Sequence, residues 1–597
     1  MEFTKFTAFV VFVLAIGYQV VLRYRNRPSL GETLITETLK DEYDYVIVGA
    51  GSAGSVLAAR LSEDSKYSVL LLEAGEHFDY DPNVHIPVLA FEYLHSDLAW
   101  LYKSEKEEGA FLGLKDETAV LNRGKGIGGS SLINACMYSR GSPFDFDDWE
   151  KKYGCKGWGF NDLLPYFKKA EDIQIEHLET SDYHGKGGPI AVTESESTPL
   201  TDYFMRAFKA LGYKETDYNG KIQTGVSRVQ NTVRNGVRSS TGLEYLGKFG
   251  RKENLDISTN SFVTKMKIEN SVATGVYFIK NGIKRLVKAK RDIILSGGTF
   301  NSPKLLMLSG VGPKDHLKNV GIPLIKDLPV GKKLDDHISI AISSRINQSV
   351  HLDKQKAQSI WALLEYTLFG TGPLTSLADS VAFLHIDKAR IGKERPDFMA
   401  FLVPTTFGDN KFLGYNETVA SELIYPYVNT PGFNIMLTLV HPKGIGSVRL
   451  QSTDPFDSPI LDTNHLKDRR DENALLAGIR IIEEMLSTEA MKSIKADLGM
   501  NKASFCSQHE FRSDDFWRCM LRHISVSFYH STSTCKMGTK GDPTRVVDLD
   551  LKVQGIKNLR VCDASVLPAV PSANTNAAVI AVAEKFADMI KIERLKA

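Results

Sequence analysis

The strongest constraint on this fold is a glycine-rich turn that joins a short apolar stretch to a small-residue helix near the N-terminus. Residues 44–48 (DYVIV) predict a buried strand, and residues 55–63 predict the helix after the turn. Between them, Gly49 permits the tight turn, Gly51 lets the backbone approach a pyrophosphate, and Gly54 lets the helix lie close to the strand. Strand, turn and helix together predict a dinucleotide-binding domain.

A second strand with an acidic end supports this prediction. Residues 69–72 are apolar and end at Glu73, where a carboxylate can accept hydrogen bonds from both hydroxyls of an adenosine ribose. That role needs a free 2′-hydroxyl and therefore disfavours NADP. Ser52 and Ala53 lie in the turn directly before the predicted helix, whose N-terminus offers phosphate free N–H groups and the positive end of the helix dipole. The fingerprint alone does not choose between FAD and NAD.

Two further glycine-containing stretches lie downstream. Residues 124–134 (GKGIGGSSLIN) are not a phosphate P-loop, because no Gly-Lys-Ser/Thr ends them; they suit backbone lying close to a flat ligand. Residues 298–312 (GTFNSPKLLMLSGVG) follow a predicted strand at 292–296. Asn301, Ser302 and Pro303 there predict a capped helix start, and the Ser-Gly-Val-Gly end predicts its stop.

In their order and spacing these motifs resemble the glucose–methanol–choline family of flavin oxidoreductases. The resemblance runs from Tyr43 to the C-terminus, and residues 372–375 (GPLT) and 441–444 (HPKG) are similar to its animal glucose dehydrogenase and choline dehydrogenase members. It implies an α/β FAD-binding, Rossmann-like domain and an α+β substrate-binding domain with an antiparallel sheet. Alternating patterns near Arg345 and over residues 433–440 also favour such a sheet.

The resemblance implies FAD as cofactor and assigns residues to it. Gly49, Gly51, Gly54 and Glu73 would hold the ADP half, the backbone of Val263 the adenine, Asp563 and Ala564 the phosphate or ribityl region, and Ser130, Asn134 and the backbone of Asn576 the flavin; Ser52, Ala53 and Gly128 complete the set. Some relatives tether FAD covalently through a histidine before the asparagine matched by Asn134. Ile133 stands there in this chain, so noncovalent FAD is expected.

The segment 529–538 (YHSTSTCKMG) is the strongest chemical signal. Imidazole is a ready base near neutral pH, and alcohol oxidation needs one, because the hydride leaves only as the hydroxyl proton leaves. The segment resembles the family's active site, which implies that His530 takes the proton while the hydride passes to flavin N5. A lone histidine is more often structural, and a reactive Cys535 is disfavoured because no neighbour in the sequence is placed to activate it.

Asn574 matches the family position that holds histidine or asparagine beside this base, where it would orient the substrate oxygen. The register can slip by two residues to Asn576, and Asn574 can also serve as the N-cap of a final helix predicted over residues 579–590.

The resemblance favours oxidation of a sugar-type CH–OH donor with a quinone or similar electron acceptor. Choline is the alternative donor; a hydroxynitrile lyase that keeps FAD unreduced and a non-catalytic binding protein are rivals from other classes. Lys and Arg total 73 and Asp and Glu total 72, so no basic excess supports nucleic-acid binding.

The six cysteines contain no CxxC pair, which disfavours a zinc site, and no metal is expected. Cys506 and Cys519 form a disulfide if the compartment oxidises; otherwise all six are free thiols.

Residues 6–22 are uncharged and mostly apolar, with three arginines following. They predict a signal peptide, or an uncleaved anchor that attaches the protein to a membrane. Sequons at Asn347 and Asn416 are compatible with the secretory pathway.

The motif order predicts a divided chain. The division is a targeting segment and linker (1–42), three parts of an FAD-binding domain (43–188, 226–333 and 533–597), and a substrate-binding domain (334–532) to which residues 195–225 contribute.

Overall fold

The computed structural model describes residues 35–77, 81–248, 252–406, 413–428, 430–500 and 503–596, together with Gly17. The apolar run 6–22, on which the signal and anchor predictions rest, lies outside these residues except for Gly17. Within the described ranges, no helix is long and apolar enough to cross a bilayer. Entry into the secretory pathway therefore stays a prediction.

Two seven-stranded sheets organise the described residues, with helices packed against them. Their strands are β1 (Glu42–Val48), β2 (Val69–Leu72), β3 (Gly225–Arg228), β4 (Leu255–Ser258), β5 (Ser261–Glu269), β6 (Val272–Lys280), β7 (Ile283–Leu295), β8 (Ile338–Arg345), β9 (Ser380–Leu384), β10 (Phe398–Val403), β11 (Gly432–Leu439), β12 (Asp497–Leu498), β13 (Ser525–Ser527) and β14 (Leu559–Val561). The helices are α1 (Ser52–Leu61), α2 (Pro143–Lys151), α3 (Phe160–Ala170), α4 (Leu200–Ala210), α5 (Gly298–Leu308), α6 (Lys314–Val320), α7 (Lys354–Ala357), α8 (Ile360–Phe369), α9 (Glu417–Leu423), α10 (Arg469–Leu486), α11 (Glu489–Ser493), α12 (Asp514–Ile524) and α13 (Asn576–Lys596).

Shorter strands form small sheets at the periphery. These strands are Ala99–Trp100 with Arg123–Gly124, Glu171–Ile173 with Ile190–Glu194 and Gln230–Asn231, Val233–Arg234 with Val237–Arg238, Val311–Gly312 with Lys326–Asp327, and Ser447–Arg449 with Ile460–Asp462.

The first sheet has the predicted Rossmann-like core. Its order is β4-β2-β1-β7-β6-β5, with β14 beside β7. Strands β4, β2, β1, β7 and β14 run parallel, while β7, β6 and β5 form an antiparallel extension. The apolar run in β1 is fully buried, as expected for a parallel strand covered on both faces.

The second sheet is antiparallel, which confirms the predicted fold class. Its order is β12-β8-β11-β10-β9-β3, with β13 beside β8. Strand β3 crosses the predicted boundary between residues 225 and 226, because it pairs with β9 in this sheet. The division into domains is otherwise a prediction that the strand pairing leaves open.

The predicted helix starts at two motifs are wrong by several residues. Helix α1 begins at Ser52, directly after the glycine turn, rather than at residue 55. Helix α5 begins at Gly298, so Pro303 lies inside it rather than at its start. Because Pro303 has no N–H to offer the carbonyl of Thr299, that carbonyl accepts a hydrogen bond from Thr534 Oγ1 at 2.6 Å instead.

Cys506 and Cys519 form a disulfide, and the other four cysteines are buried free thiols. Among the described residues, one group has the spacing of metal ligands: these two cysteines and His523. The disulfide takes both thiolates out of such a ligand set.

Candidate active site

One cavity of about 310 Å³ collects nearly all the predicted site residues. The predicted residues that line it are Gly49, Gly51, Ser52, Ala53, Glu73, Ser130, Asn134, Val263, His530, Asp563, Ala564, Asn574 and Asn576. Gly54 and Gly128 do not line it. Gly54 packs against the carbonyl of Gly49 within the turn. Gly128 donates its N–H to the carbonyl of Ala50 at 2.8 Å and so holds the turn in place.

The glycine turn is packed too tightly for side chains. A Cβ on Gly54 would lie 1.8 Å from the carbonyl oxygen of Gly49, and Gly49 itself has φ +102°. A Cβ on Gly129, in the second glycine stretch, would lie 2.6 Å from the Cα of Gly51. A Cβ on Gly51 would meet only the Cα of Gly129, at 3.9 Å, so its bare backbone faces the cavity. The two glycine stretches thus form one narrow cradle.

The start of α1 suits a phosphate group. Its N-cap is Gly51, which has no side chain to occupy the first N–H groups, so these and the positive end of the helix dipole remain available. Glu73 holds the turn in place, because its carboxylate accepts the backbone N–H of Ala50 and of Gly75, each at 2.8 Å. Burial raises the pKa of Glu73, and these N–H donors oppose the rise.

Asp563 also has a structural task. Its carboxylate accepts the N–H of Gly298 at 2.8 Å, the hydroxyl of Ser302 at 2.5 Å and the N–H of Ser565 at 2.8 Å. It therefore joins the start of α5 to the chain after β14. Burial raises its pKa, and these donors counteract part of that effect.

Two predicted amides are held by polar partners. Asn576 Oδ1 accepts a hydrogen bond from the hydroxyl of Ser52 at 2.6 Å. Asn134 Oδ1 accepts one from Nη1 of the buried Arg238 at 2.9 Å. These bonds fix the rims of the cavity at which the two amides lie.

The structure brings Asn574, rather than Asn576, to His530. Asn574 Nδ2 lies 3.2 Å from His530 Nε2, and its Oδ1 is buried without a hydrogen-bond partner among the described residues. Helix α13 begins at Asn576, so Asn574 precedes the position of an N-cap. A buried amide oxygen without a donor fits a site where a ligand hydroxyl completes the set.

His530 is held from its backbone as well as from its ring. Asp336 accepts its backbone N–H at 2.8 Å and the hydroxyl of Ser527 at 2.6 Å. Tyr529 before it has φ +62°, a costly left-handed conformation for an aromatic residue. Such a conformation persists only where the surroundings enforce it.

His337, at the start of β8, is a site residue that no sequence motif indicated. Its Nδ1 lies 2.9 Å from Nδ1 of His530, and its side chain is fully buried. Since Asn574 donates to Nε2 of His530, the His530 proton lies on Nδ1 and points to Nδ1 of His337. In the described part of the chain, Nε2 of His337 has no hydrogen-bond partner of ordinary geometry, but the backbone of Val440 lies close enough to oppose the lowering of its pKa.

Both histidines are held neutral. Burial, reinforced by the positive charge of Arg123, lowers the pKa of His530 to about 3. Burial and the neighbouring His530 lower the pKa of His337 well below its usual range. His530 is therefore unprotonated across the ordinary pH range, and the same burial makes its imidazole a weaker proton acceptor than a free one.

Arg123 is the second residue that sequence reasoning missed, although it directly precedes the second glycine stretch. Its Nη2 donates to Ser531 Oγ at 2.7 Å, and its guanidinium lies 4.7 Å from the ring centroid of Phe300. Arg123 lines the cavity near His530 and places a positive charge there, which lowers the pKa of that histidine.

A dinucleotide cradle that opens onto a neutral histidine and an amide defines the class: a cofactor-dependent oxidoreductase. Comparison with known proteins identifies the family, because two GMC oxidoreductase profiles match residues 43–339 and 442–583. The chain belongs to the GMC oxidoreductase family. Its cofactor is FAD, and it is an FAD-dependent oxidoreductase of the alcohol or glucose dehydrogenase kind.

Individual relatives span most of the chain. Glucose dehydrogenase [FAD, quinone] of Drosophila melanogaster is 35% identical, covering 92% of this chain and 87% of the relative. Mitochondrial choline dehydrogenase of Homo sapiens is 34% identical, covering 97% of this chain and 93% of the relative. Ecdysone oxidase of Bombyx mori is 36% identical, covering 92% of this chain and 82% of the relative. Among solved structures, formate oxidase has a TM-score of 0.82 at 29% identity, covering 94% of this chain and 100% of its own.

The two turn glycines predict different failures. Gly51→Ala should fold normally, since its Cβ meets nothing closer than 3.9 Å, but should bind FAD at least about tenfold more weakly, because the methyl group blocks close approach. Gly54→Ala should lose about 3 kcal/mol of stability or more, because its Cβ overlaps the Gly49 carbonyl. FAD titration of the apoprotein and urea unfolding separate the two; wild-type FAD affinity in Gly51→Ala would contradict the assigned cradle.

Acid should destabilise the fold through its neutral histidines. Below pH of about 6.5 the unfolded chain protonates its histidines, whereas His337 and His530 stay neutral when folded because their pKa values are lowered. Stability is therefore full above pH 6.5 and falls as pH drops, by about 1.4 kcal/mol per unit for each such histidine. In urea unfolding at pH 7.5 and 5.5, His337→Gln should lose about 1 kcal/mol less than wild type, and the exposed control His177→Gln should match wild type. Equal losses in all three proteins would refute the buried neutral state.

Proposed function

We propose that this protein oxidises a CH–OH donor to a carbonyl, with His530 as the base and Asn574 orienting the substrate oxygen. The observation that carries the proposal is the 3.2 Å contact between Asn574 Nδ2 and His530 Nε2 at the cavity. Bound FAD supplies the hydride acceptor for this chemistry. The family's CH–OH donors, named in relatives as glucose, choline and alcohols, agree with this reaction class.

The proposed proton path starts at the substrate hydroxyl. The substrate hydroxyl inserts between Asn574 and His530 and replaces the contact between Nδ2 and Nε2. These two atoms, together with the unpaired Oδ1 of Asn574, then serve as its hydrogen-bond partners. Nε2 of His530 accepts the proton as the C–H bond breaks, while Nδ1 keeps its bond to His337. His337 is thus a positioning residue that fixes the tautomer and ring plane of the base.

The electrons are proposed to leave to a quinone or similar acceptor. The support is the quinone in the printed name of the Drosophila relatives. Choline dehydrogenase-type oxidation is the alternative donor assignment, supported by the mouse and human relatives. A hydroxynitrile lyase remains the rival reaction, distinguished because its substrate leaves the flavin oxidised.

A thiol mechanism finds no support. Cys535 is fully buried, and burial raises the pKa of its thiol well above the usual range. A protonated, buried thiol is neither a nucleophile nor a base at neutral pH.

Replacing the base tests the proposal. His530→Ala should bind FAD and keep its visible spectrum, but anaerobic bleaching by an alcohol should slow by about 10²–10⁴-fold, since general-base assistance is lost. Cys535→Ala is the matched control from the same segment and should bleach at the wild-type rate. Wild-type bleaching in His530→Ala would remove His530 from the mechanism, and loss of bleaching in Cys535→Ala would revive the thiol.

We also propose that FAD is held without a covalent bond. Ile133 lines the cavity where some relatives carry the tethering histidine, and among the described lining residues His530 is the sole histidine and no cysteine occurs. Acid precipitation of the purified protein should therefore release all of its yellow colour into the supernatant. Colour that stays with the precipitate, and with a flavin peptide after proteolysis, would contradict this.

A further inference from the structure

We infer that the alcohol oxidised at this site is uncharged and lipophilic, rather than a sugar or choline. The inference rests on the proposed function, since it names the substrate class of the same site. It is carried by an apolar wall beside His530, which consists of Leu377, Phe401, Val403, Met436 and Phe528.

The wall adjoins the base directly. The ring of Phe528 stands edge-on to His530 with centroids 5.1 Å apart, and the ring of Phe401 lies 6.0 Å from Phe528. Met436 on β11 is paired with Phe401 on β10, so both side chains lie on the same face of the sheet. On the other side, Tyr529 packs against a second apolar cluster that includes Leu94.

Among the described strands of this sheet, the residues that line the cavity are apolar. Asn434, opposite Val403, donates to the carbonyl of Thr405 at 2.7 Å and accepts the hydroxyl of Ser343 at 2.6 Å. A hexose has several hydroxyls besides the one that reacts, and each one buried here without a partner should weaken binding about tenfold. The wall therefore selects against sugars.

Charge selects against choline. Within the described part of the chain, Glu73 and Asp563 are the only carboxylates that line the cavity, and both accept backbone N–H groups at the dinucleotide end. Arg123 lines the cavity and its positive charge lowers the pKa of His530, whereas Asp336, whose carboxylate accepts the His530 backbone N–H, does not line the cavity. A quaternary ammonium beside His530 would meet the positive Arg123, and no carboxylate among the described lining residues stands at that end of the cavity to offset it.

The test follows anaerobic bleaching of the FAD holoenzyme with matched alcohols. Choline and 3,3-dimethylbutan-1-ol have nearly the same shape and differ in charge; glucose and cyclohexylmethanol differ in hydroxyl content. The measured quantity is kred/Kd, the rate constant of flavin reduction divided by the dissociation constant of the alcohol. We expect it to be at least tenfold higher for the neutral or apolar member of each pair. Along butan-1-ol, hexan-1-ol and octan-1-ol, kred/Kd should rise about fourfold per methylene until the wall is covered.

A variant pair checks that the wall is responsible. Met436→Gln should lower kred/Kd for hexan-1-ol about tenfold, whereas the volume-conserving control Met436→Leu should stay within about threefold. FAD absorbance and the melting temperature check that both variants are folded. If either variant does not fold, the series of matched alcohols measured on the wild-type protein still decides the inference.

The outcomes separate the inference from the proposed function. Higher kred/Kd for glucose or choline than for its partner would overturn the lipophilic assignment and leave alcohol oxidation standing. A flavin that dithionite bleaches but no alcohol bleaches would overturn both.

Discussion

The contact between two neutral imidazoles, His337 and His530, sets the conditions for the rest of the site. Neither ring bonds to a carboxylate among the described residues, and burial keeps both unprotonated. A neutral imidazole has one donor and one acceptor, so the bond between the two Nδ1 atoms and the donation from Asn574 leave Nε2 of His530 as the accepting atom at the cavity. The orientation of the His530 ring thus follows from the hydrogen bonds of its neutral form.

This arrangement requires the loop that carries Asn574 to be held against the second, antiparallel sheet. Ser572, two residues earlier, donates its backbone N–H to Asp145 at 2.7 Å and its hydroxyl to the same carboxylate at 2.9 Å. Nε2 of His441 lies 2.6 Å from that hydroxyl, and Gln223 donates to the Ser572 carbonyl at 2.7 Å. Residues from three distant parts of the chain therefore position one loop, which explains how Asn574 reaches His530, directly after β13 of the second sheet.

Sequence reasoning reached the parts of the site that local motifs encode. The glycine turn, Glu73 and the segment around His530 each depend on backbone shape or chemistry over a few residues, so their patterns are readable. His337 and Arg123 were missed, because their roles arise from contacts across hundreds of residues and neither lies in a pattern that demands its side chain. The error in the predicted start of α5 has the same origin. Pro303 can lie inside the helix because Thr534, far away in the sequence, donates a hydrogen bond to the carbonyl of Thr299.

The electrostatics of the base and the choice of substrate are coupled. A carboxylate placed near His530 to bind an ammonium group would also raise the pKa of the imidazole, toward the range in which the base is already protonated. This chain has Arg123 near the base, which lowers that pKa instead. The positive charge that helps to keep His530 unprotonated would therefore also repel a cationic alcohol, so the proposed neutral substrate and an unprotonated His530 suit the same surroundings.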